Sequence, residues 1–352
     1  MKPELIKAIK ADCQTSMADY LELLEVLKNQ SILITGGTGF MGKWLTEAIL
    51  LLNKDHRFNI KLYLLARDIQ DYKEEVPHLA NQSFVNFIEQ DVRNVSTIPD
   101  DIQWIIHAAG TPDNRKHLSN PLKTMDVFYK GTQAVLDACL RLPGLKKFVL
   151  ISSNSIYGHQ TNPLNDIRED QLGILDPNSV NSTYAESKRI SETIGAIYRN
   201  QQKLPVVIVR PFAFIGPYQE LDRPWAINNF IRDSILGGPI RILGNENTVR
   251  SYLYGSDMAF WLLITLANGK TGAIYNIGGK HSISLKALSE KITSNFSNKI
   301  EVLVKYSKKY PLNPSVSVPN TDSINRDLKV KQLIDFDLAL KKTIDWYKEL
   351  HQ

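Results

Sequence analysis

The stretch that decides the fold is SILITGGTGFMG, residues 31–42. Its first five residues, Ser31–Thr35, form an apolar strand, and a helical stretch follows the glycines through Leu52. A glycine pattern alone is weak evidence, but a glycine-rich turn between a buried strand and a helix is typical of a site where backbone N–H groups hold a pyrophosphate. A cofactor that contains a pyrophosphate is predicted to contact Gly36, Gly39, Phe40, Met41 and Gly42.

Apolar strands and helical stretches alternate outward from this turn. Further strands are predicted at 60–65, 84–89, 104–107, 147–152 and 206–210. Their lack of polar alternation fits strands covered on both faces, and the alternation predicts an α/β fold with a doubly wound parallel sheet. We expect this domain to cover residues 31–215, after an N-terminal helical extension (1–30, broken near residues 15–16). A smaller mixed α/β C-terminal substrate lobe (216–352) follows, from which some segments return to the first domain.

The composition excludes several classes of protein. The chain has 352 residues, with 42 Lys+Arg and 37 Asp+Glu, so its net charge of +5 is mild, and it contains no basic block of the kind that binds nucleic acid. Two cysteines, Cys13 and Cys139, cannot build a disulfide scaffold. With no secretory signal and no long apolar run, we expect a soluble cytoplasmic protein without a membrane or nucleic-acid partner. No metal site is predicted.

The end of the second strand bears on the choice of cofactor. An acidic residue usually occurs there and binds the ribose 2′-hydroxyl, but the sequence reads Ala66-Arg67-Asp68. Arg67 can pair with a 2′-phosphate, which slightly favours NADP, whereas Asp68 leaves NAD open. The strands that follow end in further positions predicted to contact the cofactor: Asp91 and Val92 beside the adenine, and Ala108 and Ala109 along the cofactor backbone.

A tyrosine and a lysine form the candidate catalytic pair. Tyr184 and Lys188 are four residues apart on a predicted helix and therefore share one face. A neighbouring ammonium and a cationic nicotinamide both stabilise a phenolate, so the pair suits proton transfer at a carbinol while hydride leaves. Ser153 follows the fifth strand, at the sheet edge where ligands bind, and can hydrogen-bond the reacting oxygen.

Taken together, the motifs resemble the extended short-chain dehydrogenases/reductases, the NAD(P)-dependent epimerase/dehydratase family that acts on nucleotide sugars. The resemblance covers nearly the whole chain from Ser31 and rests on ITGGTGFMG, HAAG, ISSNSIYG, YAESK, RPFAFIGPYQ, NNF and VRSYLYGSDMA. It implies a Rossmann domain and a small C-terminal lobe that closes over a nucleoside diphosphate. Ser153, Tyr184 and Lys188 would be the catalytic triad, with Lys188 also on the nicotinamide ribose.

The resemblance also implies the remaining binding residues. On the cofactor side it adds Pro211, which follows Arg210 at the end of the sixth strand. The substrate-binding set it implies is Ser153, Asn154, Tyr184, Asn229, Arg241 and Arg250. Arg250 and Asn229 would contact the diphosphate and Arg241 the nucleoside, although Arg241 equally fits a solvated surface charge.

Several positions depart from the family pattern. Members that dehydrate hexoses carry Asp-Glu after the serine, and decarboxylating members carry a Glu at the second position, but here the residues are Asn154 and Ser155. The usual asparagines are replaced by Phe128 and by Ala213, with Asp126 and Tyr157 as candidate substitutes.

Chemistry that needs only hydride and one proton is compatible with these departures. We therefore expect a nucleotide-sugar epimerase acting at C4 through a keto intermediate, with Tyr184 as acid/base. The alternatives are an NADP-dependent 4-keto nucleotide-sugar reductase or dehydrogenase, and a catalytically silent dinucleotide-sensing binding protein. The expected partner is a nucleoside-diphosphate sugar, and the resemblance implies a homodimer through the helices at 124–142 and 184–200.

Overall fold

A seven-stranded parallel sheet forms the centre of the protein in the computed structural model, which describes residues 1–160, 166–305 and 314–351. The strands lie in the order β10-β6-β5-β4-β1-β2-β3. Their bounds are Ser31–Thr35 (β1), Lys61–Ala66 (β2), Val85–Glu89 (β3), Trp104–His107 (β4), Lys147–Ile151 (β5), Val206–Pro211 (β6) and Ile274–Ile277 (β10). The predicted doubly wound parallel sheet is confirmed, and all strands predicted in residues 31–215 lie in it.

Helices cover both faces of this sheet and build much of the C-terminal part. Those in the first 201 residues are Pro3–Met17 (α1), Leu21–Leu24 (α2), Phe40–His56 (α3), Gln70–Glu75 (α4), Pro77–Ala80 (α5), Asn114–Ser119 (α6), Pro121–Cys139 (α7) and Thr183–Gln201 (α8). The later ones are Ala226–Ile235 (α9), Gly255–Asn268 (α10), Leu285–Thr293 (α11), Asp322–Leu328 (α12) and Phe336–His351 (α13).

The strand order creates a crevice at the carboxyl edge of the sheet. After β3 the chain crosses back and places β4 on the other side of β1, so the connections after β1 and β4 leave in opposite directions. Ligands of such sheets bind in the crevice that forms between these two strand ends. Here Thr35 pairs with His107, whose buried ring bonds Thr35 Oγ1 through Nδ1 (2.8 Å) and Thr132 Oγ1 through Nε2 (3.2 Å). Burial lowers the pKa of His107 to about 3, so the ring is neutral and serves to hold the crevice together.

The C-terminal part contains two small sheets. Their strands are Ala213–Ile215 (β7), Ile240–Ile242 (β8), Val249–Tyr254 (β9), Ser282–Ser284 (β11), Val302–Val304 (β12) and Val316–Ser317 (β13). Strand β9 pairs with β7, β11 and β13, whereas β8 pairs with β12. Strand β10 leaves this part of the chain and joins the central sheet beside β6, and α10 packs on α3 and α1.

The N-terminal helix α1 is part of the molecule's core. Its apolar face is buried against α3 and α10, and its break comes after Met17, two residues later than the sequence pattern suggested. Ser16 Oγ donates to Asp257 Oδ1 (2.7 Å), and Asp12 accepts from Tyr254 Oη (2.7 Å) and pairs with Lys342 (2.6 Å). Within the described ranges, no helix combines the length and apolar character needed to cross a bilayer.

Candidate active site

The glycine turn lies at the carboxyl end of β1, tightly enclosed by its neighbours. Gly36 has φ +69°, a conformation that disfavours other residues, and its N–H donates to Leu65 O (2.8 Å). A Cβ at this position would lie 2.8 Å from Ala108 O. Gly42 allows α3 to touch the turn, because a Cβ there would lie 2.0 Å from Gly37 O.

The start of α3 meets the requirements of a pyrophosphate site. No side chain caps the helix at Gly39, so the first-turn N–H groups of Phe40, Met41 and Gly42 have no capping partner. The position of a Cβ on Gly39 has only Gly36 O nearby, at 3.5 Å, and so the space in front of the helix is open. Unpartnered N–H groups and the partial positive charge of a helix N-terminus favour a bound anion. The residues present thus fit a dinucleotide cofactor.

The residues predicted for the adenosine end lie on neighbouring strand ends. Arg67 is exposed directly after β2. The Asp91 carboxylate accepts two hydrogen bonds from the Arg93 side chain (3.0 and 2.8 Å), which lower its pKa to about 2, with a smaller contribution from Arg67. Val92 is buried where helix α7 passes at Gly131.

Ala108 and Ala109 are fixed by β1. Their N–H groups donate to Thr35 O (3.1 Å) and Thr35 Oγ1 (3.2 Å). Pro211 is the last residue of β6, beside Ile277 of β10. These small or rigid residues line the sheet edge without polar side chains.

Ser153 and Tyr184 meet beyond the end of β5, although they are far apart in the sequence. Burial raises the pKa of the Tyr184 phenol, and the neighbouring Ser153 side chain lowers it by less. Ser153 is itself buried, and its Oγ accepts hydrogen bonds from Ser155 N (3.1 Å) and Ser155 Oγ (3.0 Å). Ser153 is the N-cap of a short 3₁₀ helix, and Ser155 lies within that helix.

Lys188 lies one helical turn after Tyr184 on α8 and is almost fully buried. Its Nζ donates to Ile151 O (2.7 Å) and lies 4.3 Å from the centre of the Phe128 ring. Because burial penalises the ammonium, the pKa of Lys188 is lowered to about 7. The three predicted catalytic residues therefore surround the end of β5.

The rings of His117 and Phe128 pack against the phenol of Tyr184. The sequence indicated no role for either ring. His117 stacks on it with 4.3 Å between ring centres and an angle of 8°. Phe128 meets it edge-on at 5.4 Å and 69°. The Phe128 ring occupies the space above Gly110, where a Cβ would lie 2.2 Å from the ring. The signals for them in the sequence are a histidine between β4 and α7 and an aromatic residue where the resemblance implies asparagine.

The predicted substrate-binding residues are spread over a wider area. Asn154 Nδ2 donates to Ser317 Oγ (2.8 Å), and Arg250 donates to Ser315 O (3.1 Å) and Ser315 Oγ (3.1 Å). Burial lowers the pKa of Arg250, whose guanidinium makes no ion pair with a described residue. Segment 314–318 thus contacts both Asn154 and Arg250.

Other predicted positions have different surroundings. Asn229 Nδ2 donates to Arg223 O and Trp225 O (both 2.7 Å), so that its amide nitrogen holds the loop before α9. Arg241 is exposed in the middle of β8. Tyr157 is buried, bonded to Asn276 and Arg210, and Asp126 pairs with Lys130 on the same helix. The two candidate substitutes for the missing asparagines are thus engaged elsewhere.

The comparison with known families agrees with this geometry. The sequence model of the NAD dependent epimerase/dehydratase family matches residues 32–278, which include the glycine turn and Ser153, Tyr184 and Lys188. The chain belongs to this family. It is accordingly an enzyme with the extended short-chain dehydrogenase/reductase fold. No group of His, Cys, Asp and Glu suited to a metal ion occurs among the residues that the structure describes.

Relatives within the family act on nucleotide sugars, as their names state. The chain is 27% identical over 329 residues to a UDP-N-acetyl-alpha-D-glucosaminuronate decarboxylase of Bacillus cytotoxicus, covering 90% of this chain and 98% of that protein. It is 25% identical over 334 residues to a trifunctional UDP-glucose 4,6-dehydratase/UDP-4-keto-6-deoxy-D-glucose 3,5-epimerase/UDP-4-keto-L-rhamnose-reductase of Arabidopsis thaliana. That match covers 92% of this chain but about half (48%) of the plant protein.

Solved structures of the family share the fold. A UDP-glucuronic acid 4-epimerase of Bacillus cereus, in complex with UDP-glucuronic acid and NAD, superposes with a TM-score of 0.79 at 24% identity, covering 91% of this chain and 100% of the epimerase. A dTDP-glucose 4,6-dehydratase of Streptomyces venezuelae with NAD bound has a TM-score of 0.78 at 22% identity, covering 91% and 97%. At these identities the likeness establishes the fold alone.

Proposed function

We propose that this protein is an NAD(P)-dependent nucleotide-sugar epimerase that removes and returns hydride at a sugar carbinol, C4, through a keto intermediate. The observation that carries the proposal is the convergence of Ser153, Tyr184 and Lys188 at the end of β5, with Asn154 and Ser155 where a carboxylate would be needed for dehydration or decarboxylation. Relatives named as nucleotide-sugar enzymes support the substrate class.

Two acidic residues near the site, Asp113 and Glu192, are held in ion pairs and offer no substitute for that carboxylate. Asp113 is bound by Arg115 (2.8 Å) and by Arg223 (3.1 Å). Glu192 is bound by Arg210 (2.8 Å). The arginine hydrogen bonds lower the pKa of the Asp113 carboxyl and so oppose proton exchange there.

Each residue of the trio has a defined task in this proposal. Tyr184 accepts the hydroxyl proton of the sugar and later returns it, while Ser153 donates a hydrogen bond to the same oxygen. The charge of Lys188 favours the phenolate, and a lysine pKa of about 7 lets this charge vary near neutral pH. A nicotinamide dinucleotide, held by Gly36, Gly39 and the start of α3, supplies the reversible hydride acceptor when bound.

The choice between the two dinucleotides rests on the end of β2. Arg67 is exposed there and could bind a 2′-phosphate, which favours NADP. The related structures described with NAD support the other form. We propose NADP or NAD, with Arg67 giving a slight preference for NADP.

An NADP-dependent 4-keto nucleotide-sugar reductase is the second candidate, because the same trio serves it and Arg67 favours an exchangeable NADPH. A catalytically silent dinucleotide sensor is disfavoured, because such a protein has no need of the Tyr184–Lys188 pair, which is intact on α8.

A homodimer through α7 and α8 completes the proposal. Large apolar side chains on these two packed helices are exposed: Leu122, Met125, Tyr129, Ile190 and Ile197. Pairing the two helices with their copies would bury these residues. Light scattering should give twice the chain mass of 39.9 kDa, and a monomer would refute this arrangement.

The test of function is a product assay with a panel of nucleotide sugars. The protein is incubated with catalytic NAD⁺ or NADP⁺ and, separately, with UDP-glucose, UDP-glucuronic acid, GDP-mannose or dTDP-glucose, and the products are identified by mass spectrometry and NMR. An epimerase gives a product of unchanged mass without net cofactor consumption. In a separate incubation with NADPH and a 4-keto nucleotide sugar, NADPH consumption matching a gain of two hydrogens by the sugar would establish the reductase instead. A product lacking water or carbon dioxide would overturn both.

A further inference from the structure

His117 lies against the candidate acid/base in an orientation fixed by hydrogen bonding. The residue is 3% exposed, and its Nε2 lies 2.7 Å from Thr111 O. A carbonyl oxygen can only accept, so Nε2 carries the proton. Burial lowers the pKa of His117, which keeps the ring neutral. The plane of the imidazole is therefore set by the backbone at Thr111, and this plane is the one on which the Tyr184 ring stacks.

The segment that carries His117 is connected to the C-terminal lobe by an ion pair. Asp113 is the N-cap of α6, the short helix that carries His117, and accepts from Arg115 N (2.9 Å). Asp113 is 2% exposed, and its carboxylate binds Arg223, which comes from the loop between β7 and α9 (3.1 Å). Arg223 Nη1 also reaches Thr111 Oγ1 at 3.5 Å.

Arg223 is fixed in turn by the start of α9. Its carbonyl oxygen accepts from Asn229 Nδ2 (2.7 Å), and its guanidinium is mostly buried. A continuous series of contacts thus leads from α9 through Arg223, Asp113 and Thr111 to His117 and the phenol. Because a buried ion pair is costly to break, the two segments are expected to move together.

We propose that His117 is a positioning residue for Tyr184, and that the Arg223–Asp113 pair makes this positioning depend on the lobe segment 216–225. The proposal rests on the proposed function in that it concerns the same Tyr184. A substrate that draws this segment onto the cleft would thereby also set the angle of the phenol. A small misplacement of a reacting group can cost about 100-fold in rate, so such alignment affects turnover.

Arg115 provides a matched control. It binds the same Asp113 carboxylate with both Nε (3.1 Å) and Nη2 (2.8 Å), but it belongs to α6 itself and its side chain is 56% exposed. Arg115→Gln removes an arginine from Asp113 without severing the connection to the lobe. Arg223→Gln severs it.

The decisive readout is the NMR signal of Tyr184 in protein labelled with ¹³C at the tyrosine Cζ, assigned among the 14 tyrosines by its loss in Tyr184→Phe. We expect His117→Gln and Arg223→Gln to move this signal and Arg115→Gln to leave it in place. A signal unmoved by His117→Gln overturns the positioning role, and one unmoved by Arg223→Gln overturns the dependence on the lobe.

Kinetics on the substrate identified by the panel provide the second readout. We expect His117→Gln to lower kcat about 10-fold or more with KM within about twofold, since the defect lies in alignment. His117→Phe retains a ring but not the donor to Thr111, and its kcat is expected to fall less than that of His117→Gln. This variant replaces His117→Gln in the test if the Gln variant does not fold. Unchanged kcat in both variants overturns the proposal. Full activity of Tyr184→Phe would instead refute the proposed function, while the NMR shifts would still decide whether His117 and Arg223 position the ring.

Discussion

The cofactor end and the substrate end of this site are built in different ways. The cofactor end is made by backbone within a few residues of one turn, where Gly36 and Gly42 allow β1 and α3 to meet and leave N–H groups free. The substrate end is made by side chains from distant segments: Tyr184 against His117, Asn154 against Ser317, and Arg250 against Ser315. One end is thus specified locally, and the other depends on the whole fold.

This difference has a consequence for variation within the family. The turn tolerates little change at Gly36 and Gly42, because both glycines are enclosed by main-chain atoms. Side chains from distant segments are not enclosed in this way, as at Ala213, where the resemblance implies an asparagine. Substrate choice can therefore change while the cofactor site is retained.

The largest effect is expected at the centre of the substrate end. Tyr184→Phe should lower turnover at least about 100-fold, because the acid/base group is lost, while leaving cofactor affinity unchanged. Turnover is measured with the substrate found by the panel, and affinity by calorimetry. Tyr63→Phe is the control, since that hydroxyl bonds Asp101, which precedes β4 at the opposite edge of the sheet. Near-normal turnover in Tyr184→Phe would remove the phenol from the mechanism.

The two arginines of the lobe should differ in importance. Arg250→Gln should raise KM by about 10-fold or more, because a half-buried guanidinium with no ion-pair partner among the described residues is suited to a diphosphate. Arg241→Gln should have a smaller effect, because Arg241 is exposed on β8. Steady-state kinetics of both variants test this order. Equal effects would show that Arg241 contacts the substrate as closely as Arg250 does.

Two glycine variants should separate folding from cofactor binding. Gly36→Ala should destabilise the free protein by about 1–2 kcal/mol, because a side chain is disfavoured at φ +69° and the Ala108 backbone is in the way. Gly39→Ala should leave the melting temperature of the free protein nearly unchanged, since only Gly36 O lies near the new Cβ, at 3.5 Å. It should nevertheless weaken dinucleotide binding.

Melting curves with and without NAD⁺ or NADP⁺ distinguish the two glycine variants. If Gly39→Ala binds both dinucleotides as the wild type does, then the phosphates do not lie at the start of α3. Loss of stability in Gly39→Ala alone would mean that the turn is packed differently.

The same contrast explains what could be predicted from the sequence. The central sheet follows from apolar strands alternating with helices, and the glycine turn from a local motif, so both were predictable from neighbouring residues. The pairing of Tyr184 with Lys188 is also local, because residues four apart share a helix face. The stacking of His117 on Tyr184 joins α6 to α8, and the Arg223–Asp113 pair joins the lobe to the N-cap of α6. No periodicity or spacing encodes such contacts, which depend on how the segments pack.

The smallest effect is expected at the exposed rim of the cofactor end. Arg67 lies in solvent after β2, so its pairing with a 2′-phosphate would be screened and worth about 1 kcal/mol or less. Arg67→Ala should therefore weaken the binding of NADP⁺ up to about fivefold and change the binding of NAD⁺ hardly at all. Asp68→Ala is the companion variant, because a carboxylate that binds the ribose 2′-hydroxyl would make NAD⁺ the more sensitive ligand. Calorimetry at low and high salt tests both, since an ionic contact loses strength as salt rises. Equal losses for the two dinucleotides in Arg67→Ala would refute the 2′-phosphate contact and make Asp68 the residue that sets the preference.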